Sequence, residues 1–176
     1  ASGTSPYTNG FRKAFKITNG NQTSGAGASD SVEFVYFVEA QDLATCGWNY
    51  TSSSSFITLS FWIKSSVAQN FYGHLTTSDG TQQNYPYETG SLTADVWTKI
   101  VKTIPGNSNL QFDYNVNKGL GIHWELFHGT NNTDSSSTDN AWQTYSGSAR
   151  TKDMTSTFYT TDDATFEVTG VQLEVG

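Results

Sequence analysis

Intrachain disulfide chemistry is excluded first, because Cys46 is the single cysteine in 176 residues. A chain of this length buries roughly two-thirds of the surface its unfolded form exposes, enough for a core held by packing alone. Cys46 itself is expected to be a small buried apolar side chain rather than a nucleophile. Charge is also scarce: charged residues make up 14% of the chain, against roughly 25% in an ordinary globular domain. The little there is leans acidic, with a net charge of −7 and a pI of about 4.7. Nucleic acid and anionic membrane both call for a basic surface, so neither fits as a partner. No apolar run is long enough to span a bilayer, and the opening residues are not expected to act as a secretory leader. The start at Ala1, in polar sequence, is what a segment of a longer protein or a processed product would show. Uncharged polysaccharide is a partner that none of these absences excludes.

Sustained helical periodicity is missing as well. Aromatic side chains are plentiful instead: 11 Phe, 9 Tyr and 5 Trp, spread through Ser, Thr, Asn and Gly. Short runs with strand character cover Phe11–Thr18, Val32–Ala40, Phe56–Lys64, Phe71–Thr77, Gln82–Thr89, Val96–Ile104, Leu120–His128, Trp142–Tyr145 and Ala164–Gly176. Turn signals separate them, among them Asn19-Gly20, Asp79-Gly80 and Pro105-Gly106. In the clearest run, Ile57, Leu59, Phe61 and Ile63 share one face, and Thr58, Ser60, Trp62 and Lys64 share the other. Val32–Ala40 is apolar on both faces and is expected to be central or covered by a loop. Asp42-Leu43-Ala44 is expected to form one helical turn in an otherwise irregular stretch. The Asn/Ser/Thr/Asp tract Gly129–Asn140 is expected to be a mobile surface loop. Many short strands with turn signals between them indicate an all-β sandwich or barrel.

Several motifs add a family resemblance. The closing strand carries Phe166-x-Val168-x-Gly170-Val171-Gln172-Leu173-Glu174, and the clearest strand reads Leu59-Ser60-Phe61-Trp62-Ile63-Lys64-Ser65-Ser66. Gln41-Asp42-Leu43-Ala44 with Gly47-Trp48, Trp97-Thr98-Lys99, Ile104-Pro105-Gly106, Gly119-Leu120-Gly121 and Trp142-Gln143 fall in order around them. In this order, from about residue 11 to 176, the chain resembles the jelly-roll domains of phage tail and fibre proteins, which are similar to carbohydrate-binding modules. The resemblance implies one jelly-roll β-sandwich of two antiparallel sheets over residues 1–176. It implies a virion or extracellular protein, a polysaccharide or cell-surface glycan as partner, and a trimer where the parent is a fibre. It requires no cofactor. It leaves room for a structural calcium ion, with Asp30, Asp42, Glu167 and Glu174 as carboxylates to hold it.

Sugar rings stack their C–H faces on aromatic rings and pair their hydroxyls with planar polar groups. A glycan site therefore needs both kinds of residue pointing out of the core. Alternation points Trp62 outward, although packing under Gln41–Tyr50 against Trp48 fits it equally well. With Phe71, Gly73 and Leu75 inward, Tyr72 and His74 face outward. They are expected to join Gln83, Tyr85, Tyr87, His123 and Glu125 in one aromatic and polar cleft. Trp62, Tyr72, Tyr85 and Tyr87 would stack on sugar, and His74, Gln83, His123 and Glu125 would orient hydroxyls. No catalytic residue is expected, because Glu33, Glu39, Glu88, Glu125, Glu167 and Glu174 show no spacing that pairs two of them. No nucleophile elbow or sequence-encoded metal motif occurs either. His123 and His128, five residues apart, are expected on opposite faces of their strand and so unable to share a metal. The reading is a non-catalytic carbohydrate-binding domain. Its alternatives are a structural virion domain that contacts protein and an accessory domain of a polysaccharide-degrading enzyme.

Overall fold

Each apolar alternation in the sequence becomes one wall of a sandwich. The computed structural model describes residues 5–22 and 24–176. These form nine strands: β1 (Phe15–Thr18), β2 (Ser31–Glu39), β3 (Phe56–Ser65), β4 (Asn70–Thr77), β5 (Gln83–Ser91), β6 (Thr98–Pro105), β7 (Lys118–His128), β8 (Gln143–Thr144) and β9 (Thr165–Val175). Two short helices, α1 (Ala40–Thr45) and α2 (Thr157–Thr160), lie between them, and a 3₁₀ turn spans Pro6–Asn9. One sheet runs β1-β9-β3-β6 and the other β2-β7-β4-β5-β8, with every strand pair antiparallel. The protein is an all-β sandwich, as the spacing of short strands indicates.

The core lies between the sheets. Ile57, Leu59, Phe61 and Ile63 of β3 fill one side, and Phe71, Leu75, Ile122, Trp124 and Leu126 fill the other. Burying each such side chain contributes about 1.5–3 kcal/mol. Phe61 meets Trp124 edge-on at 5.6 Å, and Phe34 stacks flat on Trp124 at 4.9 Å. Trp142 closes one side of the sandwich, donating its indole N–H to the Pro105 carbonyl at 2.7 Å.

Two bulges decide which side chains face out. In β9, Ser60 pairs with Gln172 and Trp62 with Thr169, so Gly170 and Val171 together oppose Phe61. Gly170 has φ +63°, the left-handed conformation that such a bulge asks of glycine. The bulge changes the inward parity from Phe166 and Val168 to Leu173 and Val175. In β7, Val32 pairs with Phe127 and Glu33 with Glu125, which leaves Leu126 as the extra residue. Parity changes there too, so Glu125 and His128 both face outward.

Four local expectations are corrected. β1 begins only at Phe15, because residues 11–14 belong to the loop after the 3₁₀ turn. β2 is an edge strand, with Val35, Tyr36 and Phe37 exposed, rather than a central one. Cys46 is exposed, turned to the end of α1 where its thiol meets the Leu43 carbonyl at 3.3 Å. The tract after β7 is folded. Thr133 and Ser137 are buried, and the backbone N–H groups of Asp134 and Asn140 donate to the carbonyls of Thr151 and Pro86. That polar segment satisfies its own backbone and so lies down on the sheet.

Candidate functional site

Pairing across β4 and β5 decides the fate of the expected cleft. Directly opposed residues of an antiparallel pair share a face. Leu75 opposes Tyr85, and Gly73 opposes Tyr87. Tyr85 and Tyr87 therefore point into the core, where they are 2% and 0% exposed. Neither is free to stack on a sugar. Gln83 is also buried, its amide donating to the carbonyls of Thr81 and Gln82.

Tyr72, His74, His123 and Glu125 do face outward on the five-stranded sheet, in register across β4 and β7. Segment 129–153 roofs this face. The Asn84 amide donates to the Arg150 carbonyl at 2.7 Å, and the Thr151 hydroxyl donates to Glu125 Oε2 at 2.7 Å. His74 and Glu125 end up fully buried, and Tyr72 and His123 half-buried. The open cleft is thus corrected to a covered polar cluster.

Inside the cluster His74 Nδ1 lies 2.6 Å from Glu125 Oε1, and the His74 ring stacks on His123 at 4.1 Å. His123 Nδ1 meets Glu33 Oε2 at 3.2 Å. His128, brought to this side by the Leu126 bulge, lies 3.4 Å from Glu125 and 3.7 Å from Glu33. The expectation that His123 and His128 lie on opposite faces fails for that reason. Burial pushes the His74 and His128 imidazoles below their ordinary range. The hydrogen bond from His123 holds the Glu33 carboxyl at about 2, against the opposing effect of burial.

The outer face of the four-stranded sheet carries a different site. Trp62 points outward there, half-buried, between its strand neighbours Lys99 and Thr169. Trp48 instead packs with Tyr50 and Phe112, so it is not Trp62's partner. Beside this position an open hollow of about 630 Å³ is lined by Tyr7, Phe11, Arg12, Asp95, Trp97 and Glu167, among others. Its walls are fixed from the sequence upward. Phe11 packs its ring onto Gly170, where a side chain would come within 2.8 Å of it. Thr169 donates its hydroxyl to the Lys13 carbonyl at 2.6 Å, tying the N-terminal loop to β9. Arg12 lies 4.1 Å over the Tyr7 ring, and Lys64 lies 5.3 Å over Trp97 while pairing with Glu167 at 3.0 Å.

No family model, curated protein or solved structure matches this chain. The site is therefore read from its own chemistry. The hollow brings aromatic rings beside planar polar groups, the combination that the sequence reading sought on the opposite sheet. Tyr7, Phe11, Arg12, Asp95 and Trp97 were missed because the sequence reading put Phe11, Arg12 and Trp97 inside strands, whereas all five lie in the 3₁₀ turn and the segments before β1 and β6. In the structure Phe11 and Trp97 are half-buried rings and Arg12 an exposed cation.

Proposed function

We propose that the chain is a non-catalytic carbohydrate-binding domain that engages a neutral polysaccharide in the hollow over the four-stranded sheet. The observation that carries this reading is the convergence of Tyr7, Phe11 and Trp97 with Arg12, Asp95 and Glu167 around one open space. Its volume is in the range of sites for small organic ligands. Trp97 and Tyr7 offer apolar rings to sugar C–H faces, while the cations lying over them hold the rings in place. Arg12, Asp95 and Glu167 offer donors and acceptors for hydroxyls, and Trp62 extends the platform along β3. The interleaved order β1-β9-β3-β6 and β2-β7-β4-β5 supports the jelly-roll reading. In a fibre, three such sites would act together and raise the apparent affinity.

Binding of the purified chain to dextran, xylan, mixed-linkage β-glucan and galactomannan, with release of reducing ends followed in the same samples, tests the proposal. Saturable binding without release supports it. Release of reducing ends moves the reading to part of a polysaccharide-degrading enzyme.

One observation favours a second reading, protein contact. The sandwich opens beside β2 into an apolar groove of about 520 Å³, lined by Phe15, Phe34, Tyr36, Val38, Val171 and Leu173 among others. Tyr36 is 63% exposed, and β2 presents an unpaired edge of nine residues. A long apolar edge is a template for another strand, and every copy of the chain carries the same edge. The occupant this favours is a second copy. Light scattering of the chain across a concentration series would show self-association that Tyr36→Lys abolishes; a monomer at all concentrations removes this reading.

A further inference from the structure

The outer-face cluster on the five-stranded sheet gathers all three histidines of the chain with Glu33 and Glu125. Its side chains are costly as they stand. His128 and Glu125 are 0% exposed at their side chains, and His74 is 1% exposed. Neither ring nitrogen of His128 makes a hydrogen bond, although both are buried. A buried polar atom in this state is costly unless something else meets it. In native proteins, groups like these point to a bound water or ion.

The charges ask for the same thing. Two carboxylates converge here, and the Arg150 guanidinium stands 4.0 Å from Glu33. One ligand atom each from Glu33, Glu125 and His128 falls within a 4.8 Å span. Ligands of a tetrahedral ion bound at 2.0–2.1 Å lie roughly 3.3 Å apart. His128 Nδ1 lies 3.4 Å from Glu125 Oε1 and its Nε2 lies 3.7 Å from Glu33 Oε2, so whichever nitrogen ligates meets one carboxylate near that separation and the other within the 4.8 Å span.

We propose that Glu33, Glu125 and His128 form a structural site for a divalent transition-metal ion of the zinc class, oriented by His74 and His123. His74 lies against the Glu125 oxygen, and His123 donates to the Glu33 oxygen; these are the outer partners that ligating carboxylates require. Thr151, from the roof, holds the second oxygen of Glu125. Imidazole selects a transition metal, whereas calcium takes six to eight oxygens, and this cluster supplies two carboxylates. Asp30, Asp42, Glu167 and Glu174 are not part of it. The ion would join β2 to β7 under the roof and balance the paired carboxylates.

The site is independent of the carbohydrate reading, and its test reads no sugar. The full chain is stripped with chelator and titrated with zinc, cobalt or calcium chloride, following thermal unfolding, metal content and the visible spectrum. We expect one zinc per chain, a melting temperature several degrees higher with zinc than with chelator, and a cobalt band of tetrahedral type. Glu33→Gln keeps the size of a partly exposed side chain and should weaken zinc at least about tenfold. His128→Gln should remove the cobalt band; if it does not fold, Glu33→Gln alone decides. An unmoved melting temperature in the wild type, an equal zinc response in Glu33→Gln, or calcium serving as well as zinc each overturns the site.

Discussion

Tyr87 donates its phenolic hydroxyl to the main-chain carbonyl of His123 at 3.0 Å. The bond joins β5 to β7 across β4, and it exists because Gly73 lies between them with no side chain. A Cβ on Gly73 would stand 2.4 Å from both the Tyr87 ring and the His123 carbonyl. Gly73→Ala should therefore cost on the order of 3 kcal/mol. Tyr87→Phe, which removes the hydroxyl alone, should cost about 1 kcal/mol. Urea denaturation of the two variants measures both. A neutral Gly73→Ala would mean that Tyr87 does not fill this space.

The inward tyrosines also set an alkaline limit. Burial pushes the Tyr85 hydroxyl up to about 12 and that of Tyr87 well above its ordinary value. The unfolded chain then loses these protons first, so their contribution to stability is complete below about pH 10. It drains away as pH rises from there toward 12, by on the order of 2 kcal/mol for Tyr85. Tyrosinate absorbance should show an exposed group titrating early and a buried group ionising only together with unfolding. A single early transition covering all 9 tyrosines would contradict the packing.

Segment 129–153 should behave as folded structure. The amides of Asp134, Asn140 and Arg150 donate to the carbonyls of Thr151, Pro86 and Asn132. Hydrogen exchange should find these three slower than the free amides of an unstructured loop. Thr151→Val strips Glu125 Oε2 of its donor and should cost about 1–3 kcal/mol. Exchange at random-coil rates throughout the segment would restore the mobile loop that its composition suggests.

Gly170 couples the fold to the hollow. Its φ of +63° and the Phe11 ring within 2.8 Å of a would-be Cβ leave no room for alanine. Gly170→Ala should cost about 1–3 kcal/mol through backbone strain. It should also weaken polysaccharide binding by displacing Phe11. Calorimetry of unfolding and of binding separates the two effects, and unchanged binding would place Phe11 outside the site.

The sandwich was legible where one strand carries its own answer. Ile57, Leu59, Phe61 and Ile63 alternate with polar residues, and that run alone assigns the core face of β3. Legibility stopped where a face depends on a partner. Tyr85-Pro86-Tyr87 reads the same pointing either way, and only its register against Gly73 and Leu75 turns it inward. A bulge defeats counting altogether. One extra residue at Leu126 brings His128 to the side of Glu125, though their spacing in a regular strand would separate them. The roof hid for a third reason, since a polar tract that hydrogen-bonds to itself has the composition of a mobile one. The hollow draws its rings from the 3₁₀ turn and the segments before β1 and β6, two of which the reading had counted as strand.

The central claim is carbohydrate recognition over the four-stranded sheet. Its most direct test is calorimetric titration of the best-binding polysaccharide from the panel into the wild type, Trp97→Ala and Phe37→Ala. Phe37, exposed on the far sheet, serves as the control for losing an exposed aromatic ring. Trp97→Ala should unfold like the wild type and lose binding at least tenfold, about 1.4 kcal/mol, while Phe37→Ala binds normally. Full binding in a folded Trp97→Ala, or loss only in Phe37→Ala, would contradict the account.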